Sequence, residues 1–417
     1  MSAPRSSRAS INRRAFVVGT LGAAASARVL GANDRLRLAI LGPGTQGSGL
    51  LRELHKWTAE TNSELVAVCD LWSKRREAAA ALVKAAGGRE PRQLRHPDEV
   101  LASKDIDGVI IATPDHQHAR QLVAAVRAGK DVYCEKPMGN ALAEVKDAYR
   151  TVKGSKSIVQ LGTQGLSSGH YQAVAAFLLS GRLGTVSRVA HEGSFNGPRW
   201  RPIAAVKEIR EQDTDWRTWL HGHRARPFDP NLYFEFRLYR EFSGGIADQW
   251  LTHAVAGVHH IMDDYFPRSV VANGGVMVYK DGRENSDTLS ATLVYPRGFV
   301  FTYSAMFGND FPGFTRYYGQ NGTVERVGEG NPYVARGLGG GKRPERLAEE
   351  VPLPPVDPIS HMKNWLQCVR SRKTPNADVR TGYAHSVVSI MTARAEITGR
   401  KQYWDPGHEE IVDHPVS

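Results

Sequence analysis

Short, almost wholly apolar runs alternate with helix-like segments through the first third of the chain. The run over 36–41 is followed by a glycine-rich turn, a helical pattern over 48–58 and a second apolar run over 64–70. Similar runs occupy 108–114 and 131–134. Continuous apolar runs of this length are typical of strands that lie buried on both faces of a parallel sheet. The alternation therefore predicts an α/β fold with an open parallel sheet in this part of the chain.

Beyond residue 158 the pattern changes to longer segments in which apolar and polar residues alternate. Such segments are typical of strands with one buried and one wetter face, so we expect a large, mostly antiparallel open sheet. A chain of 417 residues is long enough for two cores. We therefore predict a first domain over 35–157 and an α/β second domain over 158–417, with a surface loop over 337–358. The predicted strands of the second domain are 186–194, 269–279, 286–295 and 299–307.

The turn after the first strand carries three glycines. Gly42, Gly44 and Gly47 stand where a tight turn, a close backbone approach and a close helix–strand contact each require a residue without a side chain. The helix behind them offers unpaired N–H groups at its N-terminus, and these suit a pyrophosphate. Asp70 ends the second strand, where a carboxylate accepts hydrogen bonds from a ribose hydroxyl. Strand, glycines, helix, strand and acid in this order predict a dinucleotide site.

Residues that follow the strands of a parallel sheet meet at its carboxyl edge, which is where such sheets bind ligands. Lys136 lies between a carboxylate and a proline at one of these strand ends. Partial burial lowers the pKa of a lysine and makes it a useful proton carrier for a hydroxyl group. A solvated Lys–Glu surface pair is the alternative. The further cofactor-binding candidates in this crevice are Thr45, Gln46, Thr113, Pro114, His116, His118, Glu135 and Lys136 itself.

Several short motifs occur together. They are the glycine turn, Ala112-Thr113-Pro114 with its two histidines, Tyr133-Cys134-Glu135-Lys136-Pro137, Gly162-Thr163-Gln164, and Gly244-Gly245 followed by Asp248. This combination resembles the glucose–fructose oxidoreductase/inositol dehydrogenase (Gfo/Idh/MocA) family over about 36–403. The resemblance implies a Rossmann NAD(P)-binding domain and an α/β domain whose open sheet commonly forms the interface of a homo-oligomer, a dimer or tetramer. It also implies that Gln164 contributes to the cofactor site.

The resemblance further implies a catalytic set of three side chains. In that family a lysine of the Glu-Lys-Pro segment works with an aspartate and a histidine on one helix, and Lys136 and Asp248 match the first two. The histidine normally follows the aspartate by four residues, but here Thr252 holds that position and His253 comes one residue later. A π-bulge would return His253 to the face of Asp248. We predict Lys136, Asp248 and His253 as catalytic residues, with Thr252 as the alternative to His253.

These residues lead us to expect oxidation of a secondary alcohol on a sugar, polyol or glycoside. The hydride passes to a nicotinamide, and Lys136 or His253 takes the hydroxyl proton. Asp70 favours NAD, whereas the cations at 74–76 leave NADP open. Two alternatives stay open. One is a redox-neutral glycosidase or lyase that uses transient oxidation by bound NAD, and the other is a non-catalytic protein that binds sugar and nucleotide.

Residues 1–32 resemble a twin-arginine export signal. Arg13 and Arg14 precede an apolar stretch of small residues, and Ala25-Ser26-Ala27 fits a small-x-small cleavage site. The stretch is too short and too weakly apolar for a membrane span, and a basic tail without an export role is the alternative. We expect a periplasmic or other extracytoplasmic protein that is exported folded. Because free dinucleotide is expected to be scarce there, the cofactor is expected to stay bound through many turnovers.

Composition and residue spacing argue against several other classes of partner and site. The formal charge is +11, but five of the positive charges belong to residues 1–32, and no later segment is a dense basic run with aromatic residues. Nucleic acid is therefore not an expected partner. Three cysteines do not make a disulfide framework. The histidine pairs lack the spacing of metal ligands, so no metal is expected. The aromatic residues of 231–242 form either a sugar-stacking platform or a cover between the domains.

Overall fold

The first sheet of the protein is built from the apolar runs. The structure is a computed structural model that describes residues 34–198, 204–328 and 331–416. The strands of the first sheet are β1 (Leu36–Leu41), β2 (Ser63–Cys69), β3 (Arg92–Leu94), β4 (Gly108–Ile111), β5 (Asp131–Cys134) and β6 (Val159–Leu161). They lie in the order β3-β2-β1-β4-β5-β6, and all neighbours are parallel. The order reverses between β1 and β4, so their carboxyl ends border the crevice in which such sheets bind ligands.

Helices connect these strands. They are α1 (Thr45–His55), α2 (Thr58–Thr61), α3 (Ser73–Ala85), α4 (Pro97–Ala102), α5 (Asp115–Arg127) and α6 (Leu142–Lys153). The side chains of Leu38 and Ile40 in β1 belong to one buried cluster, and those of Ala39 and Leu41 belong to another. The sheet is therefore covered on both faces, as its apolar runs predict. The N-termini of α1 and α5 both lie at the ligand-binding edge.

The second sheet has eleven strands in the described part of the chain. They are β7 (Val186–Asn196), β8 (Ser269–Gly275), β9 (Thr288–Val294), β10 (Val300–Met306), β11 (Gly308–Asn309), β12 (Phe314–Gly319), β13 (Gly322–Val327), β14 (Tyr333–Arg336), β15 (Val351–Leu353), β16 (Gln402–Asp405) and β17 (Glu410–Val412). The order is β15-β14-β13-β12-β7-β10-β9-β8-β16-β17, and β11 pairs with β7. Only the β7–β10 pair is parallel among the described strands of this sheet.

One face of the second sheet is covered by helices that also reach the first sheet. The helices of this half are α7 (His170–Leu179), α8 (Trp216–Leu220), α9 (Pro230–Glu235), a π-helical turn (Ala247–Leu251), α10 (Thr252–Met262), α11 (His361–Ser371) and α12 (Val379–Thr398). Leu161 of β6, Val255 of α10, Val387 of α12 and Phe301 of β10 belong to one buried apolar cluster. Backbone contacts accordingly group Leu36–Ser417 as one compact unit.

The predicted fold class is confirmed, and several elements differ from prediction. The loop predicted over 337–358 contains the short strand β15, because Val351–Leu353 pairs with β14. The strand predicted over 269–279 ends at Gly275. α6 and β12 to β14 were not predicted. β6 lies just beyond the predicted domain boundary and belongs to the first sheet. The boundary at 157 itself stays a prediction.

The sequence also predicts properties of the leader, of membrane spans and of the cysteines. The predicted export signal over 1–32 lies outside the described residues. Within the described ranges, no helix combines the length and apolar character that crossing a membrane requires. Cys69, Cys134 and Cys368 are free and buried, where a thiol packs as a small apolar side chain.

Candidate functional site

The turn between β1 and α1 leaves no room for side chains at two of its glycines. Gly42 has a φ of +76°, and a Cβ there would lie 2.8 Å from the backbone of Thr113. A Cβ on Gly47 would lie 2.5 Å from the carbonyl oxygen of Gly42. Both positions therefore require glycine. α1 has no side-chain cap and no acidic residue in its first turn, so its first N–H groups suit an anion.

Asp70 follows β2 and lies beside the same turn. Its buried carboxylate accepts a hydrogen bond from the Trp72 N–H at 3.0 Å and lies 3.7 Å from the guanidinium of Arg75. Burial raises the pKa of Asp70, and the positive charge of Arg75 opposes this rise. A Cβ on Gly44 would lie 3.7 Å from the guanidinium carbon of Arg75. The acid predicted to hold the ribose therefore borders the glycine turn, with a cation beside both.

Glu135 joins three segments at the other end of the crevice. Its Oε1 accepts hydrogen bonds from the side-chain amides of Gln46 in α1, at 3.0 Å, and Gln164 after β6, at 2.9 Å. Gly162 allows this approach, because a Cβ there would lie 2.6 Å from the carboxylate. The structure thus brings together the glycine turn and the ends of β5 and β6, as the parallel topology predicts.

His118 holds the loops after β4 and β5 against each other. Its two ring nitrogens each lie 2.7 Å from a carbonyl oxygen, one of Thr113 and one of Pro137. The Thr113 hydroxyl in turn donates to the side chain of Gln121 at 2.7 Å. The Lys136–Pro137 peptide is cis. Pro114 caps α5 from the same loop.

Lys136 is half-buried and points toward the π-helical turn. Its ammonium donates to the backbone carbonyl of Gln249 at 2.8 Å and to the side-chain Oε1 of the same residue at 3.1 Å. Burial lowers the pKa of Lys136 to about 8, and the negative charges of Asp115 and Glu135 oppose this lowering. Lys136 is therefore not part of a solvated surface pair. It can exchange a proton close to neutral pH.

Asp248 lies in the π-helical turn, and its carboxylate is buried. One oxygen accepts a hydrogen bond from the backbone N–H of Gly244, and the other accepts one from the hydroxyl of Ser389 in α12. Burial raises the pKa of Asp248, and the neighbouring charge of Asp115 raises it further. A Cβ on Gly244 would lie 3.0 Å from the carboxyl carbon, so the absence of a side chain at Gly244 allows this contact.

The π-helical turn decides which residue after Asp248 faces the crevice. Thr252 is fully buried, and its hydroxyl donates to the Asp248 carbonyl at 2.7 Å. His253 is half-buried, and its pKa is lowered well below the usual range by burial and then by the positive charge of Lys136. The bulge that the five-residue spacing calls for is present over Ala247–Leu251. It leaves the Thr252 hydroxyl bound to the helix backbone, and His253 lies within the electrostatic influence of Lys136.

The structure places the ring of His116 among aromatic side chains. Its Nε2 lies 2.9 Å from the Trp219 carbonyl, and its ring centroid lies 5.0 Å from that of Phe242. Burial lowers the pKa of His116 to about 3, so the ring is neutral. Gln117 donates to the same carbonyl at 2.7 Å. These contacts give His116 a packing role, and its contact with the cofactor stays a prediction.

The aromatic residues of 231–242 mostly form a cover. The buried cluster to which they belong contains Trp72, Trp216, Trp219, Tyr233, Phe236 and Phe242. The guanidinium carbon of Arg75 lies 5.5 Å from the ring centroid of Tyr233 and 5.2 Å from that of Phe234. The segment therefore lies over the end of β2 and the start of α3, where Asp70 and Arg75 are found.

Three buried polar residues of the site were missed in the sequence. The carboxylate of Asp115 accepts hydrogen bonds from the side-chain amide of Gln249 and, at 2.7 Å, from the hydroxyl of Ser243. Asp115 follows a strand end and Gln249 adjoins Asp248, so position alone made both of them candidates. Ser389 had no such signal, because it reaches Asp248 from 141 residues further along the chain.

Glycines at a strand end, an uncapped helix N-terminus and a buried acid after the next strand fit a dinucleotide. The segment 36–163 also matches the family model GFO_IDH_MocA, described as an oxidoreductase family with an NAD-binding Rossmann fold. The prediction of NAD as cofactor is confirmed for the segment that matches this model, whereas the use of NADP stays a prediction.

Known proteins resemble the chain beyond the Gfo/Idh/MocA segment. Inositol 2-dehydrogenase 3 of Saccharopolyspora erythraea is 29% identical over 191 residues, which cover 44% of this chain and 53% of that protein. The chain spans about half the length of the curated relatives it matches.

Two solved structures extend the similarity to both sheets. The WlbA dehydrogenase from Bordetella pertussis, solved with NADH and UDP-GlcNAcA, has a TM-score of 0.66 and 20% identity, covering 88% of this chain and 98% of that one. An aldose-aldose oxidoreductase from Caulobacter crescentus, solved with glycerol, has a TM-score of 0.67 and 20% identity, covering 88% and 99%. These similarities show the fold.

Proposed function

We propose that this chain is an NAD-dependent oxidoreductase that oxidises a secondary alcohol of a sugar, polyol or glycoside. The observation that carries the proposal is the approach of Lys136, at the end of β5, to the helix that bears Asp248 and His253. The glycine turn belongs to the same crevice through the contact between Gln46 and Glu135. The names of the curated relatives, inositol 2-dehydrogenases, support a polyol or sugar-like substrate class.

The three side chains have complementary tasks in such an oxidation. The nicotinamide, when bound, supplies the hydride acceptor. Lys136 takes the hydroxyl proton, because its lowered pKa makes the neutral amine available near neutral pH. His253 stays neutral and offers a ring nitrogen to the same oxygen. Asp248 stabilises the positive charge that Lys136 gains with the proton.

A panel of sugars, polyols and glycosides tests the proposal. We expect at least one member of the panel to raise the absorbance of reduced nicotinamide in protein that carries NAD. Return of the absorbance to its starting value without added oxidant would favour the redox-neutral cycle. Protein that holds NAD and shows no change with any member would be a binding protein instead of an oxidoreductase.

Asp70 is expected to set the preference for NAD over NADP. Replacing Asp70 by serine removes a buried carboxylate that would accept the ribose hydroxyls, and Arg75 then lies free to receive a 2′-phosphate. We expect the affinity for NAD to fall about tenfold, since a hydrogen bond to a charged group contributes about 1.5–3 kcal/mol. The affinity for NADP is expected to rise. Fluorescence titration of the apoprotein with each dinucleotide measures both, and unchanged affinities would contradict the assignment of Asp70.

We also propose that the protein is exported and keeps its dinucleotide bound. Support for retention comes from the way the segment 204–243 is tied across the first sheet. Lys74 pairs with Glu208 at 3.0 Å, Arg95 donates to the Thr214 carbonyl at 3.0 Å, and Arg120 donates to that of His221 at 2.8 Å. Support for export comes from residues 1–32.

Purification from the periplasmic fraction tests export and retention together. We expect the purified protein, once denatured, to release close to one equivalent of dinucleotide, measured by absorbance and mass. Protein found only in the cytoplasm would remove the export proposal. Empty protein that binds no added dinucleotide would remove the cofactor proposal as well.

A homo-oligomer, a dimer or tetramer formed through the open face of the second sheet, is part of the proposal. Val271 of β8 and Val294 of β9 are exposed on this sheet, where a partner surface would cover them. Light scattering measures the mass, and a monomer at micromolar concentration would contradict this part.

A further inference from the structure

Gln249 lies between the half-buried ammonium of Lys136 and the buried carboxylate of Asp115 and binds both. Its backbone carbonyl and its Oε1 accept hydrogen bonds from Lys136, at 2.8 and 3.1 Å. Its Nε2 donates to Oδ2 of Asp115, and the hydroxyl of Ser243 donates to the same oxygen at 2.7 Å. Asp115 is 1% exposed and Gln249 is 5% exposed, so water does not compete freely for these contacts.

The carboxylate of Asp115 fixes which end of the Gln249 amide faces Lys136. An ionised carboxylate only accepts hydrogen bonds, so it must face the amide nitrogen and not the amide oxygen. The oxygen then points to Lys136. Reversing the amide would place two acceptors together at Asp115 and two donors together at Lys136, and both pairs would be buried.

Both atoms that Gln249 presents to Lys136 are therefore acceptors. A neutral amine has two N–H groups and one lone pair. When the two N–H groups are bound to Gln249, the lone pair points away from it. An ammonium has a third N–H group, which takes the direction of that lone pair. The site of proton transfer on Lys136 keeps one direction in both protonation states.

We propose that Asp115 and Gln249 are positioning residues, in which Asp115 orients the Gln249 amide and Gln249 aims the Lys136 amine at the substrate hydroxyl. The inference rests on the proposed function for the nature of the reaction. In that reaction the amine lone pair takes the hydroxyl proton, the O–H electron pair forms the carbonyl bond, and the C–H hydride leaves to NAD⁺. The products are a ketone, the Lys136 ammonium and NADH, so protons and electrons balance.

Other charged groups also act on Lys136 and must stay unchanged in a test. The pKa of Lys136 responds to the charges of Asp115, Glu135, Arg237 and Asp248. The charge of Lys136 in turn lowers the pKa of His253 and of His385. Asp115 is the strongest of the acids, and its charge favours the ammonium. Its removal therefore favours the neutral amine.

The test replaces Asp115 by asparagine and reads the chemistry of Lys136 directly. Acetic anhydride labels only neutral amines, and peptide mass spectrometry reports the labelling of Lys136 against pH without any substrate. We expect the labelling midpoint of Asp115→Asn to fall by about one pH unit, the lower end of the effect of a nearby charge. Asp147→Asn on α6 is the matched control, because this exposed carboxylate pairs with Arg127 at 3.5 Å, away from Lys136.

A second variant removes a hydrogen bond that orients Lys136 and keeps the charge of Asp115. Gln249→Met keeps Asp115 charged and keeps the backbone acceptor, but it removes Oε1. We expect labelling of Lys136 at neutral pH to rise at least about twofold, because the ammonium loses one of two hydrogen bonds. With a substrate from the panel, kcat is expected to fall about tenfold or more while KM changes little. This variant also serves if Asp115→Asn does not fold.

The outcomes distinguish this inference from the proposed function. Wild-type labelling profiles in both variants would overturn the positioning role. Shifted labelling with no turnover of any sugar, even in the parent protein, would leave the positioning of Lys136 supported and remove the oxidation. Shifted labelling together with unchanged kcat would show that the aim of Lys136 does not matter to the reaction and would overturn the inference.

Discussion

Lys136→Met is expected to lower kcat by about 10²–10⁴-fold, the usual contribution of a positioned general base. Methionine has a side chain of similar length, so the contact with the π-helical turn is lost with little change in packing. Turnover of the parent protein is expected to rise with pH and to level off above about 8, because the amine must be unprotonated to accept the hydroxyl proton. Steady-state rates with the best panel substrate measure both effects.

The dinucleotide content provides the control for Lys136→Met. The variant is expected to release as much NAD on denaturation as the parent protein, because the glycine turn and Asp70 are unchanged. Retention of more than a tenth of the parent kcat would show that another group takes the proton. A pH profile that falls through neutrality would have the same meaning.

His253→Ala is the second change with a large expected effect. The loss of a ring within the electrostatic influence of Lys136 is expected to lower kcat about 10²-fold, at the lower end of general acid–base contributions. Thr252→Val is the matched comparison. It removes the hydrogen bond to the Asp248 carbonyl and lowers the free energy of unfolding by about 1 kcal/mol, with little effect on kcat. Rates and thermal unfolding of both variants measure the difference.

The two variants at 252 and 253 test the π-helical turn itself. If Thr252 faces the substrate, then Thr252→Val shows the large loss and His253→Ala the small one. That result would place the helix in a regular α conformation in the working protein. It would also mean that the electrostatic interaction between Lys136 and His253 has no role in catalysis.

The first sheet and most of the crevice are predictable because their signals are local. The apolar run of β1 reports burial on both faces, and Gly42 and Gly47 report contacts that tolerate no Cβ. In a parallel sheet, the topology then brings the carboxyl ends of all strands to one edge. Glu135 and Lys136 could therefore be assigned to the crevice from their place after a strand.

Contacts between distant segments could not be predicted in the same way. Asp115 and Gln249 are separated by 134 residues, and Ser389 meets Asp248 across 141, so no spacing rule links them. The motif of His116 predicts a cofactor contact, but it gives no sign of the packing of its ring against Trp219 and Phe242, which come from a distant segment. The five-residue spacing from Asp248 to His253 leaves two alternatives open in the sequence, a π-bulge or Thr252 in place of His253. The structure shows the bulge.

Deuteride transfer tests the central claim most directly, namely that a hydroxyl-bearing carbon lies between the bound nicotinamide and Lys136. Protein that carries NAD is mixed with a polyol deuterated at its carbinol carbons, quenched at once, and the released dinucleotide is weighed by mass spectrometry. The account predicts one deuterium on the nicotinamide in the parent protein and almost none in Lys136→Met. Bound but unlabelled dinucleotide in the parent protein, with every polyol and sugar of the panel, would contradict it.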